Sequence, residues 1–168
     1  FYVIDVGEGT GGGSPTNPII LDSAKIDNGI NAIFVKGDYA YVASPNDEEL
    51  KIFDISTPSA INEVGGFDAP LGGGNNGNGK SLYLVGNNLY LGRTLLNGDE
   101  FYILNNVNPE TNLPNLGSKN ILNGVSNSSV NGIIIRSLLA FLVTNGEFQT
   151  WRIDVPSNIT QYANPLTL

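Results

Sequence analysis

Side chains that could do acid–base or metal chemistry recur at one place in a repeated sequence pattern. Asp5, Asp54 and Asp154 each follow a large apolar residue, and Asn105 stands at the fourth such position. Carboxylates gathered in this way could form a catalytic ring. Asn105 argues against a ring, because an amide accepts the same hydrogen bonds as a carboxylate without its charge. We therefore expect all four side chains to bind backbone N–H groups of their own units, as in Asx turns.

A second set of acidic residues lies between the predicted second and third strands of the repeated units. Its candidate metal ligands are Asp47, Glu48, Asp99 and Glu100. Oxygen ligands of this kind suit Ca²⁺, which takes about six to eight of them. The regular spacing of an EF-hand loop is missing from the sequence, and a solvated acidic rim is the alternative. We assign no catalytic residue and expect no cofactor other than this possible calcium ion.

The composition excludes much other chemistry. The 168 residues include no histidine, cysteine or methionine, so a zinc site built on Cys or His, a Ser-His-Asp triad and a disulfide are all excluded. The net charge of −8 disfavours nucleic acid as a partner, because phosphate recognition depends on clustered Lys and Arg. The longest apolar run, 133–143, contains Arg136 and is shorter than the ~20 residues of a membrane-spanning helix. We expect no membrane span.

A repeat along the chain must position these residues. The aromatic residues Tyr41, Tyr90 and Phe141 recur at spacings of 49 and 51 residues, each within a similar apolar segment. A period of this length with several short strands per unit is typical of a β-propeller. We therefore expect the three aromatic side chains to occupy equivalent buried positions between neighbouring blades.

The strand signals predict an all-β fold with four antiparallel strands in each unit. Gly and Pro interrupt nearly every connection, and the amphipathic period of a helix is missing throughout. The sequence predicts one domain, 1–168, made of about three and a half blades. The half-blade spans 1–25 and the three blades span about 30–67, 79–122 and 130–164.

The first complete unit resembles a known family. Its segments Tyr39–Ala43 (YAYVA), Leu50–Pro58 (LKIFDISTP) and Glu63–Gly65 (EVG) are similar to the blades of LVIVD-repeat β-propellers. Leu142–Asn145 (LVTN) is similar to the motif of the related YVTN-type propellers. The resemblance implies a propeller fold and a cell-surface or secreted location. It implies no particular reaction.

Three blades and a half-blade are fewer than the usual four to eight or so blades of a closed propeller. We therefore expect the sequence to be a segment of a longer protein. The half-blade supplies only third and fourth strands, which leaves Tyr2 and Ile4 on an open strand edge. We expect more of the same polypeptide, or a neighbouring copy, to pair with this edge by strand addition.

Two functions from different classes fit these observations. The first is a non-enzymatic cell-surface or secreted module that binds a protein or a glycan, or that assembles with further copies of itself. The second is a propeller hydrolase or lactonase in which rim carboxylates hold a divalent metal ion. The acidic residues are spread over loops of unequal length instead of converging on a central channel. This distribution favours the binding module.

Overall fold

A computed structural model describes residues 1–7, 11–26, 29–45, 48–70, 77–94, 98–121 and 129–168. These residues form 14 β-strands and no helix. All paired strands of the four sheets run antiparallel. The predicted all-β fold with four-stranded, propeller-like blades is confirmed.

The strands form one two-stranded sheet and three four-stranded sheets, each a simple meander in chain order. The half-blade and the first blade consist of β1 (Tyr2–Asp5), β2 (Ile19–Ser23), β3 (Ala32–Lys36), β4 (Tyr39–Ala43), β5 (Leu50–Asp54) and β6 (Asn62–Phe67). The second and third blades consist of β7 (Asn78–Val85), β8 (Asn88–Thr94), β9 (Phe101–Asn105), β10 (Asn115–Lys119), β11 (Gly132–Arg136), β12 (Leu139–Val143), β13 (Glu147–Arg152) and β14 (Thr160–Thr167).

All four sheets share one irregularity in their outer pair of strands. The pairing between the third and fourth strand shifts immediately before Ile4, Phe53, Leu104 and Trp151. A bulge of this kind increases the local twist and fixes the register of a strand pair. The two strands of the half-blade are therefore structural equivalents of the third and fourth strands of the complete blades.

The turn between the first two strands of each blade needs a left-handed backbone conformation. Gly37 and Gly86 adopt φ angles of 58° in the first and second blades, and Ser137 adopts 55° in the third. Two-residue hairpins favour such positive φ angles, which glycine accepts without steric cost. Ser137 carries a Cβ in a conformation that costs most residues about 1–2 kcal/mol.

Successive sheets pack face to face. We call the face of a blade that contacts the next blade along the chain its downstream face, and the opposite one its upstream face. Between the first and second blades, Tyr41 and Ile52 share a buried cluster with Leu89, Leu91 and Leu104. Burial of these side chains holds the two sheets together, because apolar area removed from water is the main favourable term in folding.

The other two junctions repeat this arrangement. Tyr90 and Ile103 of the second blade share a cluster with Ile133 and Leu142 of the third. At the half-blade, Phe1 packs edge-on against Phe53 of the first blade, with ring centroids 5.0 Å apart. Within the described residues, the half-blade, the first blade and the second blade each use their downstream face to bind the next sheet.

The three recurring aromatic residues share one register but differ in burial. Tyr41, Tyr90 and Phe141 pair with the equivalent residues Phe34, Tyr83 and Ile134. Tyr41 is 1% exposed and Tyr90 is 5% exposed, whereas Phe141 is only partly buried. Phe141 shares the register of Tyr41 and Tyr90, but no described blade packs on its face of the third blade, so its burial between blades stays a prediction.

Candidate functional site

Three of the four recurring polar residues bind backbone in their own sheets. The backbone N–H two residues downstream donates to the side-chain oxygen of Asp5, Asp54 and Asn105, at 2.9, 2.8 and 3.1 Å. These are the hydrogen bonds expected of Asx turns. The bond from Ser56 holds the pKa of Asp54 below its ordinary value. These groups have a structural role and do not converge on a common centre.

Asp154 does not belong to this set. In the first blade Tyr39 lies opposite Asp54, and in the second blade Asn88 lies opposite Asn105. In the third blade the equivalent residue, Leu139, lies opposite Arg152. Arg152 is therefore the true equivalent of Asp54 in the third blade. The sequence pattern had placed Asp154, two residues after Arg152, at this position. The error arose because the apolar pattern of the third blade's third strand is weak, so that Ile153 was aligned with Phe53.

A glutamate stands immediately before or at the start of the third strand in each complete blade. Glu49 and Glu100 are 1% and 0% exposed. Glu49 accepts a hydrogen bond of 2.8 Å from the backbone N–H of Ala69, and Glu100 accepts one of 3.0 Å from Ile121. Both N–H groups follow the outer strand of the blade. These glutamates therefore fix the chain as it leaves one blade for the next.

Glu49 also binds across the junction between the first and second blades. The Arg93 guanidinium, 0% exposed, donates to Glu49 at 2.5 Å, to the Pro70 carbonyl at 3.0 Å and to the Tyr102 hydroxyl at 2.9 Å. Its Nε donates to the Asp99 carbonyl at 2.8 Å. A buried charge is tolerated only when it is paired and hydrogen-bonded in this way. We call Glu49, Arg93 and Tyr102 the buried ionic cluster.

Burial shifts the titration of two groups in this cluster. Burial raises the pKa of the Glu49 carboxyl, opposed by the Ala69 N–H and by Arg93. Burial also raises the pKa of the Tyr102 hydroxyl to about 12, so this hydroxyl stays protonated and accepts from Arg93. Through its hydrogen bonds to Glu49 and Pro70 of the first blade and to Tyr102 of the second, Arg93 clamps the two blades together.

The three candidate calcium ligands that the structure describes have separate partners. Glu48 pairs with Lys51 at 3.5 Å, the Asp99 carboxylate accepts from the Ser118 hydroxyl, and Glu100 is buried against Ile121. Asp47 lies outside the described residues. Within the described ranges, no three acidic side chains are placed to share a metal ion. The calcium site stays a prediction.

The downstream face of the third blade is uncovered. Ile134, Val143 and Leu166 are 60%, 39% and 65% exposed. Phe141 and Phe148 stack at 6.1 Å on the same face. The equivalent faces of the first and second blades are buried by the blade that follows each of them. This is an apolar sheet face of the type that the protein otherwise buries.

One end of this face forms a concave site. A cavity of 270 Å³ is lined by Leu139, Arg152, Asp154 and Tyr162, together with the strained Ser137. The Arg152 guanidinium lies over the Tyr162 ring, 5.7 Å from its centroid.

In the first blade the equivalent residue contacts the next blade. There Tyr39 donates a hydrogen bond of 2.8 Å to Glu110 of the second blade. The cavity of the third blade is therefore part of the same uncovered face.

The half-blade exposes the opposite kind of face. Tyr2, Ile4 and Ile20 are 65%, 48% and 59% exposed. By the shared bulge and Asx turn, Tyr2 and Ile4 correspond to Tyr102 and Leu104 of the second blade. The latter two lie on an upstream face and are buried. The described chain thus ends in an uncovered downstream face and begins with a partly uncovered upstream face.

Sequence reasoning missed the buried ionic cluster and the repeated glutamate. The available signal was Arg93, a lone charge at the end of the apolar strand Asn88–Thr94, where the other units have Ser44 and Thr144. The glutamates were visible as Glu49, Glu100 and Glu147, each beside the start of a predicted third strand. Burial of these glutamates is not expected from the sequence, because loops usually expose their charges.

Comparison with protein families agrees with the structure of the first blade. Residues 31–69 match the family model described as LVIVD repeat. The first blade is therefore similar to an LVIVD repeat. The matched LVIVD segment begins one residue before β3 and ends two residues after β6. The family unit and the structural blade therefore coincide, and the chain is a β-propeller-type module.

Two further findings set the scope of the LVIVD match. No curated protein matches the chain. No helix of the described ranges is long and apolar enough to cross a membrane. The LVIVD match gives the type of module, and it carries no statement about a ligand.

Proposed function

We propose that this chain is a non-enzymatic β-propeller module that binds a protein or a glycan, and that it acts at a cell surface or after secretion. The uncovered downstream face of the third blade supports this proposal most directly. Ile134, Phe141 and Leu166 lie on it, and it is flanked by the Arg152 cavity. Exposed apolar faces rimmed by polar residues mark interaction sites in soluble proteins.

The state of the acidic groups favours binding over hydrolysis. A hydrolase or lactonase needs carboxylates that are free to hold a metal ion or to move a proton. Among the described residues, Glu49 and Asp54 accept from backbone N–H groups, and Glu48 pairs with Lys51. Asp99 accepts from Ser118. These acidic side chains already serve the packing and the turns of the sheets.

An activity assay separates the two functions. The full chain is incubated with CaCl₂, MnCl₂ or ZnCl₂ and with a panel of lactones and carboxylic esters, and the Asp99→Asn variant serves as the matched control. We expect the two proteins to give the same background rate, because the Asp99 carboxylate has no catalytic role in this proposal. Turnover by the wild type that is lost in the variant would contradict the binding module.

The location has its own test. Lys25 is exposed, so a membrane-impermeant amine reagent should label the protein on intact cells that produce it, or the protein should be found in their medium. Labelling that requires lysis of the cells, together with absence from the medium, would refute a cell-surface or secreted location.

A further inference from the structure

Asparagine followed by glycine is a reactive pair in proteins, because the backbone nitrogen of the glycine can attack the asparagine side chain. Glycine has no Cβ to shield this nitrogen, and its backbone turns freely into the geometry of attack. The structure describes both residues of such a pair at 78–79, 131–132 and 145–146. The three pairs have the same local chemistry, so differences in their reactivity follow from the fold.

Two of the pairs are held in strand ladders. Asn78 lies in β7, and the N–H of the buried Gly79 donates to the Ser44 carbonyl at 2.8 Å. The Asn131 N–H extends the ladder between β11 and β12, because it donates to the Val143 carbonyl at 2.8 Å. The extended dihedral angles of a strand hold the side-chain carbon away from the following backbone nitrogen. Both pairs must therefore leave their ladders before the nitrogen can attack.

The third pair lies at an exposed hairpin tip. Asn145 and Gly146 lie in the connection between β12 and β13, and both are exposed. The Thr144 N–H donates to the Glu147 carbonyl at 2.9 Å, and the Glu147 N–H donates to the Thr144 hydroxyl at 3.2 Å, so the tip is held from either side. A Cβ added to Gly146 would meet nothing within 4 Å beyond its chain neighbours. The tip therefore has room for the change of dihedral angle that ring closure needs.

A neighbouring amide activates the Asn145 side chain. Nδ2 of Asn131 donates to Oδ1 of Asn145 at 2.8 Å. Attack on Cγ moves negative charge onto this oxygen, and a hydrogen-bond donor placed at such an oxygen stabilises the transition state. The backbone bond from Asn131 to Val143 holds the donor in place. Asn145 therefore has a nucleophile next to it in the chain and a donor at its Oδ1.

We propose that Asn145 is a self-modifying site that the fold activates. The Gly146 nitrogen forms a bond to Asn145 Cγ, and its proton leaves with the side-chain amide as ammonia, which gives a cyclic succinimide. Water then opens the ring at either carbonyl, so the product is aspartate or isoaspartate, and no oxidant or reductant takes part. Either product adds a negative charge at the hairpin tip, and isoaspartate also lengthens the main chain by a methylene group. This site goes beyond the proposed binding function and is independent of it.

Mass spectrometry of the full chain tests the proposal. The folded protein is kept in neutral and in mildly alkaline buffer and is sampled over time. Trypsin, which cuts after Lys and Arg, then releases Asn145 on peptide 137–152, apart from the other Asn-Gly pairs. We expect Asn145 to convert about tenfold faster than Asn78 and Asn131, or more, because their ladders must open first. Conversion should be faster in alkaline buffer, since the attacking nitrogen must lose its proton.

Two variants and a matched control locate the chemistry. Gly146→Ala should slow the conversion of Asn145 about tenfold or more, because a Cβ shields the nitrogen, and it should leave the circular dichroism spectrum unchanged. Asn131→Ala should slow the conversion about fivefold to tenfold, the effect of losing one hydrogen bond in the transition state. Asn158→Ala removes an exposed asparagine from the connection between β13 and β14 and should leave the rate unchanged.

Unfolding in urea separates the fold from the local sequence. In urea the three pairs should convert at similar rates, and Asn131→Ala should have no effect at Asn145. Equal rates at the three pairs in the folded protein would overturn the proposal. A folded-state rate at Asn145 that Asn131→Ala leaves unchanged, or increases, would also overturn it. Neither result bears on the proposed binding function, which the activity assay with Asp99→Asn tests separately.

Discussion

The buried ionic cluster gives the largest single-residue effect that the structure supports. Glu49→Gln removes the carboxylate charge beside Arg93 and changes the shape of the side chain very little. The Gln carbonyl still accepts from the Ala69 N–H, so the connection between the blades keeps that hydrogen bond. The guanidinium, however, becomes an unpaired charge in a site where Arg93 is 0% exposed and Glu49 is 1% exposed.

The magnitude depends on the burial of both partners. Breaking a buried ion pair by removing one partner costs about 3–5 kcal/mol, because an uncompensated charge is left out of water. The retained bond to Ala69 and the three other acceptors of Arg93 place the expected cost at the lower end. We expect Glu49→Gln to lower the free energy of unfolding by about 3 kcal/mol.

The assay is equilibrium urea unfolding followed by circular dichroism and by the fluorescence of Trp151, the one tryptophan of the sequence. Coincidence of the two curves establishes that one transition is being compared. The matched control is Glu48→Gln, one residue earlier, which breaks the partly exposed pair with Lys51. Exposed pairs of this type contribute about 0–1 kcal/mol.

A second variant separates the charge from the shape. Adding Arg93→Met to Glu49→Gln removes the unpaired cation, so the double variant should recover part of the stability lost by Glu49→Gln. The expected coupling is about 1–3 kcal/mol, the range for residues in direct contact. The reasoning fails if Glu49→Gln costs no more than Glu48→Gln, or if the two changes at the cluster are additive.

Three further outcomes are expected from individual contacts. Tyr41→Ala should lower the free energy of unfolding by about 3–5 kcal/mol, measured by thermal or urea unfolding. Phe141→Ala should lower it clearly less, because only Tyr41 lies in a covered junction. Equal losses would refute the assignment of the faces. Asp54→Asn should be less stable than the wild type above pH 3.8, the ordinary carboxyl pKa, and this difference should shrink as pH falls through the lowered pKa of Asp54 in the folded protein, because the stability that a lowered carboxyl pKa contributes is lost over that interval. A difference independent of pH would contradict this. Ser137→Gly should raise the free energy of unfolding by about 1 kcal/mol, because glycine accepts the positive φ angle without strain. Leu138→Gly should not raise it, and thermal melts of the two variants test this difference.

The repeat made the all-β fold with antiparallel four-stranded sheets predictable. The spacing of Tyr41, Tyr90 and Phe141 reports strand register, which depends on local pattern and turn chemistry. The burial of Phe141 could not be read from this spacing. Burial of a blade's downstream face depends on whether another sheet packs on it, and each repeat carries the same pattern in either case.

The acidic residues show the other limit of sequence reasoning. The Asx role of Asp54 can be read from local spacing, because its donor is Ser56, two residues away. The partners of Glu49 are Ala69 and Arg93, both distant in sequence, and Arg93 reaches it only when two blades pack. A solvated rim and a buried clamp have the same local sequence, so only the tertiary contacts distinguish them.

The activity assay with lactones and carboxylic esters tests the central claim, a non-enzymatic binding module, most directly. The account predicts that the wild type and Asp99→Asn give the same background rate with CaCl₂, MnCl₂ or ZnCl₂. Metal-dependent turnover by the wild type that Asp99→Asn loses would contradict it.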